Sequence, residues 1–400
     1  MRNIGLLLII IPFILTSLGT QQFFALFFSE SITQLFAYTK LAMVVLGSVL
    51  LLKHKTRDPL PSVLFLWLIF YALYFGIGLL ANNNHNNEAP FLKSFVPVIF
   101  FVGFCILLGL KNYRNIFVKV LIIAFTFSNI LLIFLNKINF SLDHKGLTDY
   151  TLERAGGVYA DANNAAVVCL LAFIFIYHLV KPKNILQNIF KLISIMIALY
   201  GLFLTFSKTG FLVLLFVLVF TFYKFFKPHR IFLFLIIGPI FIYGVIQTFL
   251  NSPGLSVVQK TRIQEVVNIV TFNTSDVSYS GRDYLFQNML NYINKNPFFG
   301  NGVYFSTEIR GHNTIFGIWA DSGVFTFILF VTIMVIFIRK ALMAPKEIKY
   351  FSLSILTVLV LFMFTLQTII DQVYLLAIFV YLAYLLDNNK EKHVGLSTID

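Results

Sequence analysis

Twelve apolar stretches, each close to the length of a membrane-spanning helix, divide the chain almost from end to end. They cover approximately residues 4–20, 32–52, 60–81, 91–110, 116–135, 163–180, 185–206, 209–226, 231–250, 314–338, 350–366 and 373–386. A spanning helix needs about 20 apolar residues, so twelve need roughly 240 positions. The chain supplies them: 58% of its 400 residues are hydrophobic and 12% are charged, against about 25% charged in soluble domains. A water-soluble fold of this size has too little interior for so much apolar surface. Disorder is excluded for the same reason. The fold class is therefore an all-α polytopic membrane protein of about 12 transmembrane helices, with a large extracytoplasmic loop carrying amphipathic helices. The first stretch is followed by no small-residue cleavage site and reads as a retained span. Cys105 and Cys169 lie inside apolar stretches and read as small buried hydrophobes.

The formal charge of +13 has topology as its first explanation rather than nucleic acid, because cytoplasmic loops of membrane proteins collect Lys and Arg. With the N-terminus in the cytoplasm, 17 of the 30 basic residues fall in inside segments, including Lys53, Lys111, Lys181, Lys227, Arg339 and Lys390. The outside connections near Gln21, Asn84 and Asp371 carry none. Both termini are then cytoplasmic. Lys40, Lys93, Lys119 and Lys191 lie within or at the edges of spans, and nine basic residues lie outside: Lys137, Lys145, Arg154, Lys208, Lys260, Arg262, Arg282, Lys295 and Arg310. Cations placed against the positive-inside rule point to an anionic ligand on the outer face.

These nine fall in three connections. The chain divides accordingly into spans one to five (1–135), an outer loop with spans six to nine (136–250), a large extracytoplasmic loop (251–313), and spans ten to twelve with a short cytoplasmic tail (314–400). Within the large loop, Val257, Ile263, Val266 and Val270 fit one helix face, and Leu285, Phe286, Met289 and Ile293 fit another. Ser280 and Asp283 read as a capping box for the second helix. That puts Arg282 in a first helical turn, where an anion offsets its unfavourable dipole interaction. A surface Arg282 paired to Asp283 is the plainer alternative. His312 is an imidazole able to take a proton near neutrality, or simply a loop histidine with its ring in water. Asp161, Asn163 and Asn164 put polar groups at the start of a span, as helix caps or as ligands. Lys208 sits in a short turn between apolar stretches and is expected to face a cavity rather than lipid.

The order of these pieces resembles the O-antigen polymerase and ligase superfamily of bacterial surface polysaccharide assembly, from about Arg154 to Gly323. The matching residues are Arg154, Gly157, Tyr159, Asn163 and Asn164; Ser207-Lys208-Thr209-Gly210; Gly281-Arg282; Pro297-Phe298-Phe299-Gly300-Asn301-Gly302; and His312, Asn313, Asp321 and Gly323. The departure is Lys208, where the pattern usually has Arg, so the planar fork suited to phosphate is lost. Many ligases of the superfamily carry a His-x-His-Asn form, where this chain has only Gly311-His312-Asn313.

The resemblance implies an inverting, membrane-integral glycosyltransferase. Its donor would be an undecaprenyl-pyrophosphate-linked oligosaccharide and its acceptor a glycan hydroxyl. The lipid bilayer and a chain-length regulator would be further partners; nucleic acid would not. His312 would be the general base and Arg282 would stabilise the leaving pyrophosphate. Arg154, Lys208, Asn163, Asn164, Asn313, Asp161 and Tyr159 would bind substrate. No cofactor and no metal is expected, because the outer loops lack a clear carboxylate cluster. A repeat-unit polymerase is the leading reading. The alternatives are an O-antigen ligase acting on lipid A–core and a lipid-linked glycan flippase or transporter.

Overall fold

The computed structural model describes residues 2–54, 57–81, 91–143, 146–148, 152–223, 251, 254–271, 282–367 and 369–387, without the side chains of residues 2, 91–94, 270 and 282. It is almost entirely helical. The first helices are α1 (Arg2–Ser17), α2 (Thr20–Phe27), α3 (Glu30–Leu52), α4 (Ser62–Ala81), α5 (Phe91–Leu108) and α6 (Lys111–Lys137). After a two-stranded hairpin, β1 (Phe140–Ser141) with β2 (Gly146–Leu147), come α7 (Ala162–Leu179), α8 (Ile185–Leu204) and α9 (Lys208–Thr221). The remainder comprises α10 (Val257–Val270), α11 (Arg282–Lys295), the short α12 (Phe305–Glu308), α13 (Thr314–Met343), α14 (Lys346–Met363) and α15 (Val373–Asp387).

Six of these, α3, α4, α6, α7, α8 and α13, are long and apolar enough to cross a membrane, and α1 with α2 forms a further candidate bent by 66°. The bend falls at Gly19, in the left-handed region at φ 61°. A Cβ there would stand 2.0 Å from the Val158 carbonyl oxygen, so the chain before α7 lodges against the bend. Of the twelve stretches read from the sequence, the ninth, 231–250, lies outside the described residues. The others overlap helices; α5, α9 and α15 are shorter than a full span, and α14 is not among the candidate spans.

Aromatic packing joins the helices that meet at Trp67 on α4. Its ring lies 5.9 Å from Phe101, 6.1 Å from Phe330 and 4.7 Å from Phe379, linking α4 to α5, α13 and α15. Many outward side chains, such as Leu46, Phe65, Ile123 and Phe134, are exposed apolar groups, the surface a helix presents to lipid rather than to water. Helix α7 is different: it is buried along most of its length, packed by α6, α8, α9 and α14. Cys169 is buried on it and donates to Asn129 Oδ1 at 3.3 Å, while Cys105 is half-buried.

Helix α13 is broken. Gly323 has φ 80° and ψ 179° inside it, which frees the backbone groups of the turn around it. The 297–302 turn fills the break. Asn301 N–H donates to Ala320 O at 2.8 Å, Gly302 N–H to Asp321 O at 3.0 Å, and Val324 N–H to Pro297 O at 3.0 Å. The contact is too close for side chains: a Cβ on Gly323 would stand 1.9 Å from Phe298 O, and one on Gly300 2.4 Å from the Asp321 carbonyl.

Candidate functional site

Asp161 begins the site by capping α7. Its Oδ1 accepts from Asn163 N–H at 2.7 Å and Asn164 N–H at 3.0 Å, satisfying two of the orphan donors of a helix start. Capping thus falls to Asp161 and leaves both asparagine side chains for other partners. Asn163, 4% exposed, uses its Oδ1 to accept from Arg154 Nη2 at 3.0 Å and from Ser207 Oγ at 2.8 Å. Arg154 also donates through Nε to Thr205 O at 3.2 Å. Ser207 caps α9 by accepting from Gly210 N–H at 3.1 Å, so Lys208 lies in the first turn of α9 rather than in a loose turn. The chain before α7 and the α8–α9 connection are thereby fastened together with Arg154 and Lys208 at one pole.

Lys208 is not turned into an open cavity. Its Nζ meets Glu265 Oε2 at 3.0 Å, with side-chain exposures of 19% and 7%. Glu265 belongs to α10, which lies across this pole. Ser256 and Gln259 form its capping box, and Gln259 Nε2 reaches the Glu153 carbonyl at 3.2 Å, next to Arg154. Arg262 lies between Gln259 and Glu265 on α10, and its Nε is buried with no hydrogen-bond partner among the described residues. Sequence reading counted Arg262 as an outer cation and gave it no role.

His312 occupies a second pole, and α11 leads to it. Met289, Ile293 and Ala320 form a small core with Phe286 and Phe316 packed on it, seating α11 on α13. Gly311 sits against Met289, where an added Cβ would stand 2.8 Å from the sulfur. Arg282 opens α11, seven residues or about 10 Å along the axis from Met289. Its side chain, and the Ser280 of the expected capping box, lie outside the described residues. His312 is half-buried with φ 47°, and its N–H donates to Gln367 Oε1 at 3.4 Å. Asn313 is buried and caps α13, accepting from Phe316 N–H at 3.0 Å.

The two poles are joined by the connection between α14 and α15, a segment without any sequence motif. At one end Gln367 accepts from His312 and its amide donates to Ser306 O. Nearby, Thr314 Oγ1 donates to Leu366 O at 2.6 Å. At the other end Gln372 Nε2 donates to Asn164 Oδ1 at 2.8 Å and Oε1 accepts from Tyr374. Five residue steps separate the glutamines, so their Cα atoms are at most about 18 Å apart. Tyr159 stands behind this wall rather than in it. It is 5% exposed, and its hydroxyl lies 2.9 Å from Ser128 Oγ and donates to Ser17 O at 2.6 Å.

Asp371 lies on the same connection. Its Oδ1 is buried with no hydrogen-bond partner among the described residues. Burial, with a smaller push from the Asp321 charge, raises its carboxyl to about 8. Asp321 itself is fully engaged, accepting from Tyr74 Oη at 2.7 Å, Ser306 N–H at 2.6 Å and Ser306 Oγ at 3.1 Å. Burial and then the Asp371 charge also hold the Tyr304 phenol well above its ordinary range. No group of three or more His, Cys, Asp or Glu placed to hold a metal occurs among the described residues.

Backbone strain points to the same place. Among the described residues, the non-glycine positions with positive φ are Asn139, Ala160, Phe206, Tyr304, Arg310 and His312. All lie in connections at the end of the bundle where α7, α9 and α13 begin. Each such residue costs about 1–3 kcal/mol and persists only where the surroundings impose it, which is characteristic of functional sites.

A polytopic helical membrane protein with a cationic, amide-rich site at one end of its bundle is the class these features define. The O-antigen ligase family model matches residues 192–331. Over that stretch the chain is similar to the O-antigen polymerase and ligase superfamily, bearing out the resemblance read from the motifs. Lys208, Arg282, the 297–302 turn, His312, Asn313, Asp321 and Gly323 fall inside the match, whereas Arg154 to Asn164 precede it. A search of curated proteins finds no match.

Proposed function

We propose that the chain is a polysaccharide repeat-unit polymerase, moving glycan from undecaprenyl pyrophosphate to an acceptor sugar hydroxyl at the outer face of the bacterial cytoplasmic membrane. The observation that carries this reading is the fastening of Arg154, Asn163, Ser207 and Lys208 into one cationic pole, tied by the 364–372 connection to the strained His312 segment. Glycan transfer from a lipid pyrophosphate needs these two things: cations for the leaving group and a base for the acceptor hydroxyl.

In this reading Arg154, Lys208 and Arg282 hold the pyrophosphate as the sugar–phosphate bond breaks. His312 takes the acceptor proton, and the hydroxyl oxygen attacks the anomeric carbon with inversion. Asn163 keeps the Arg154 fork in place, and Asn164, held by Gln372, faces the substrate from the other side. Asn313 and Asp161 set the starts of α13 and α7. Tyr159 positions the α7 start from behind. The arrangement is completed by twelve spans, with 231–250 as the ninth, the large loop 251–313 outside and both termini cytoplasmic. The acceptor glycan and a chain-length regulator are its partners.

The lack of the His-x-His-Asn form favours polymerase over ligase. The family description, O-antigen ligase, favours the other activity, so gene deletion is the decisive experiment. Loss of a polymerase leaves a single repeat unit on the acceptor, and loss of a ligase leaves none. Movement of glycan across vesicles containing purified protein, without bond formation, would instead mark a flippase.

A further inference from the structure

The α7–α8 connection, at the end of the bundle opposite the candidate site, closes a groove of about 230 Å³ between α6, α7 and α8. Ile122, Ile176, Val180 and Phe190 form its apolar wall, and Lys181 and Lys191 line it as well. Lys191 is fixed in place: its ammonium donates to Tyr177 O at 2.8 Å and to Val180 O at 2.6 Å, the carbonyls at the end of α7. An ammonium has three N–H donors, so one is left over. Neither lysine has a carboxylate within ion-pair distance among the described residues. Among the described residues, two cations thus share one groove without a carboxylate partner.

The groove opens toward hydrocarbon. Leu186, Ile189, Phe190 and Ile193 on α8 are exposed apolar side chains, the surface of a helix at the edge of a membrane bundle. A soluble anion has no use for the apolar wall, and a neutral lipid leaves the paired cations uncompensated. We infer that this groove binds one anionic phospholipid, its phosphate between Lys181 and Lys191 and the start of an acyl chain along Ile122, Ile176 and Phe190. Basic recesses between transmembrane helices on the cytoplasmic side take anionic head groups for this reason. The volume equals that of about eight waters, enough for a phosphate and the upper part of a chain. A lipid seated there braces the end of α7 remote from Asp161, and the inference stands apart from the activity proposed above.

The test is native mass spectrometry of the full-length protein, offered phosphatidylglycerol or phosphatidylcholine with the same acyl chains. The wild type is expected to retain one phosphatidylglycerol, K181Q/K191Q to lose it, and K346Q, a remote cation near the same membrane face, to retain it. K181Q alone changes an exposed side chain and guards against misfolding of the double variant; it is expected to weaken retention about fivefold. Equal retention by wild type and K181Q, equal retention of phosphatidylcholine, or displacement of the lipid by millimolar inorganic phosphate would overturn the inference.

Discussion

Lys208 and Glu265 face each other at 3.0 Å, tying the first turn of α9 to α10, 57 residues further along the chain. The pair occupies the place where the proposed reaction puts a phosphate. A buried carboxylate left without its cation costs about 1–3 kcal/mol or more. K208M is therefore expected to lower thermal stability by about that amount and E265Q by somewhat less, because the more exposed lysine recovers some hydration. The double variant should recover part of the loss. Single losses that simply add in the double variant would show that the two side chains do not interact. If the donor phosphate displaces Glu265, E265Q also lowers the apparent KM for the lipid donor.

Asn163 permits a sharper separation of fold from chemistry. N163A removes the acceptor shared by Arg154 and Ser207 and should destabilise by about 2 kcal/mol. N163D keeps the acceptor, so the fold should survive. Its carboxylate neutralises Arg154 and repels phosphate, and KM for the donor should rise about tenfold. A donor KM unchanged in purified N163D would remove Arg154 from the phosphate site.

His312→Ala, expressed at the wild-type level, is expected to lower the rate of glycan transfer by about 10²–10⁴, the usual contribution of a general base. R282A should cost about 10²–10³ if it meets the developing charge. Full-length polysaccharide restored by either variant in a deletion strain contradicts its assigned role.

Asp371 predicts a pH dependence. Its carboxyl is raised to about 8 in the fold, against about 3.9 in an unfolded chain. Between these values the unfolded chain has released the proton and the folded protein still holds it. Stability therefore falls as pH rises through this window and levels off above about pH 8. D371N should flatten that part of the profile. Melting temperatures of wild type and D371N that fall in parallel from pH 5 to 8.5 would exclude Asp371 as the source.

At Gly323 steric and backbone effects act together. G323A places a Cβ 1.9 Å from Phe298 O at φ 80°, and the combined strain and overpacking should cost about 3 kcal/mol. Detergent-extracted G323A should elute largely as aggregate in size-exclusion chromatography, while G76A, at a position with open space around it, should elute as wild type.

Hydrophobic length and charge carry most of what the sequence makes legible. The helices, the α10 and α11 faces in the loop, and the order of the motifs follow from local patterns that one chain segment holds by itself. What escapes are relationships between segments. Gln367 and Gln372 sit in a short connection without motif or basic residue, and only the fold brings them to His312 and Asn164. Glu265 is an ordinary polar position on an amphipathic helix until Lys208 faces it. The stretch 4–20 reads as one straight span because Gly19 is unremarkable in sequence; the turn before α7 is what demands its bend. Tyr159 matches a motif, yet no local pattern shows that it is buried with its hydroxyl engaged by Ser17 and Ser128.

The break in α13 bears on how the protein is made. A helix interrupted at Gly323 enters the membrane with open backbone groups that hydrocarbon cannot satisfy, and the segment that closes them, 297–302, leaves the ribosome first. Insertion of this span and closure of the turn before it must then be one event, with the turn waiting as a template for the helix that follows it. A truncation ending before α13 would deprive the turn of its seat as surely as it removes the span.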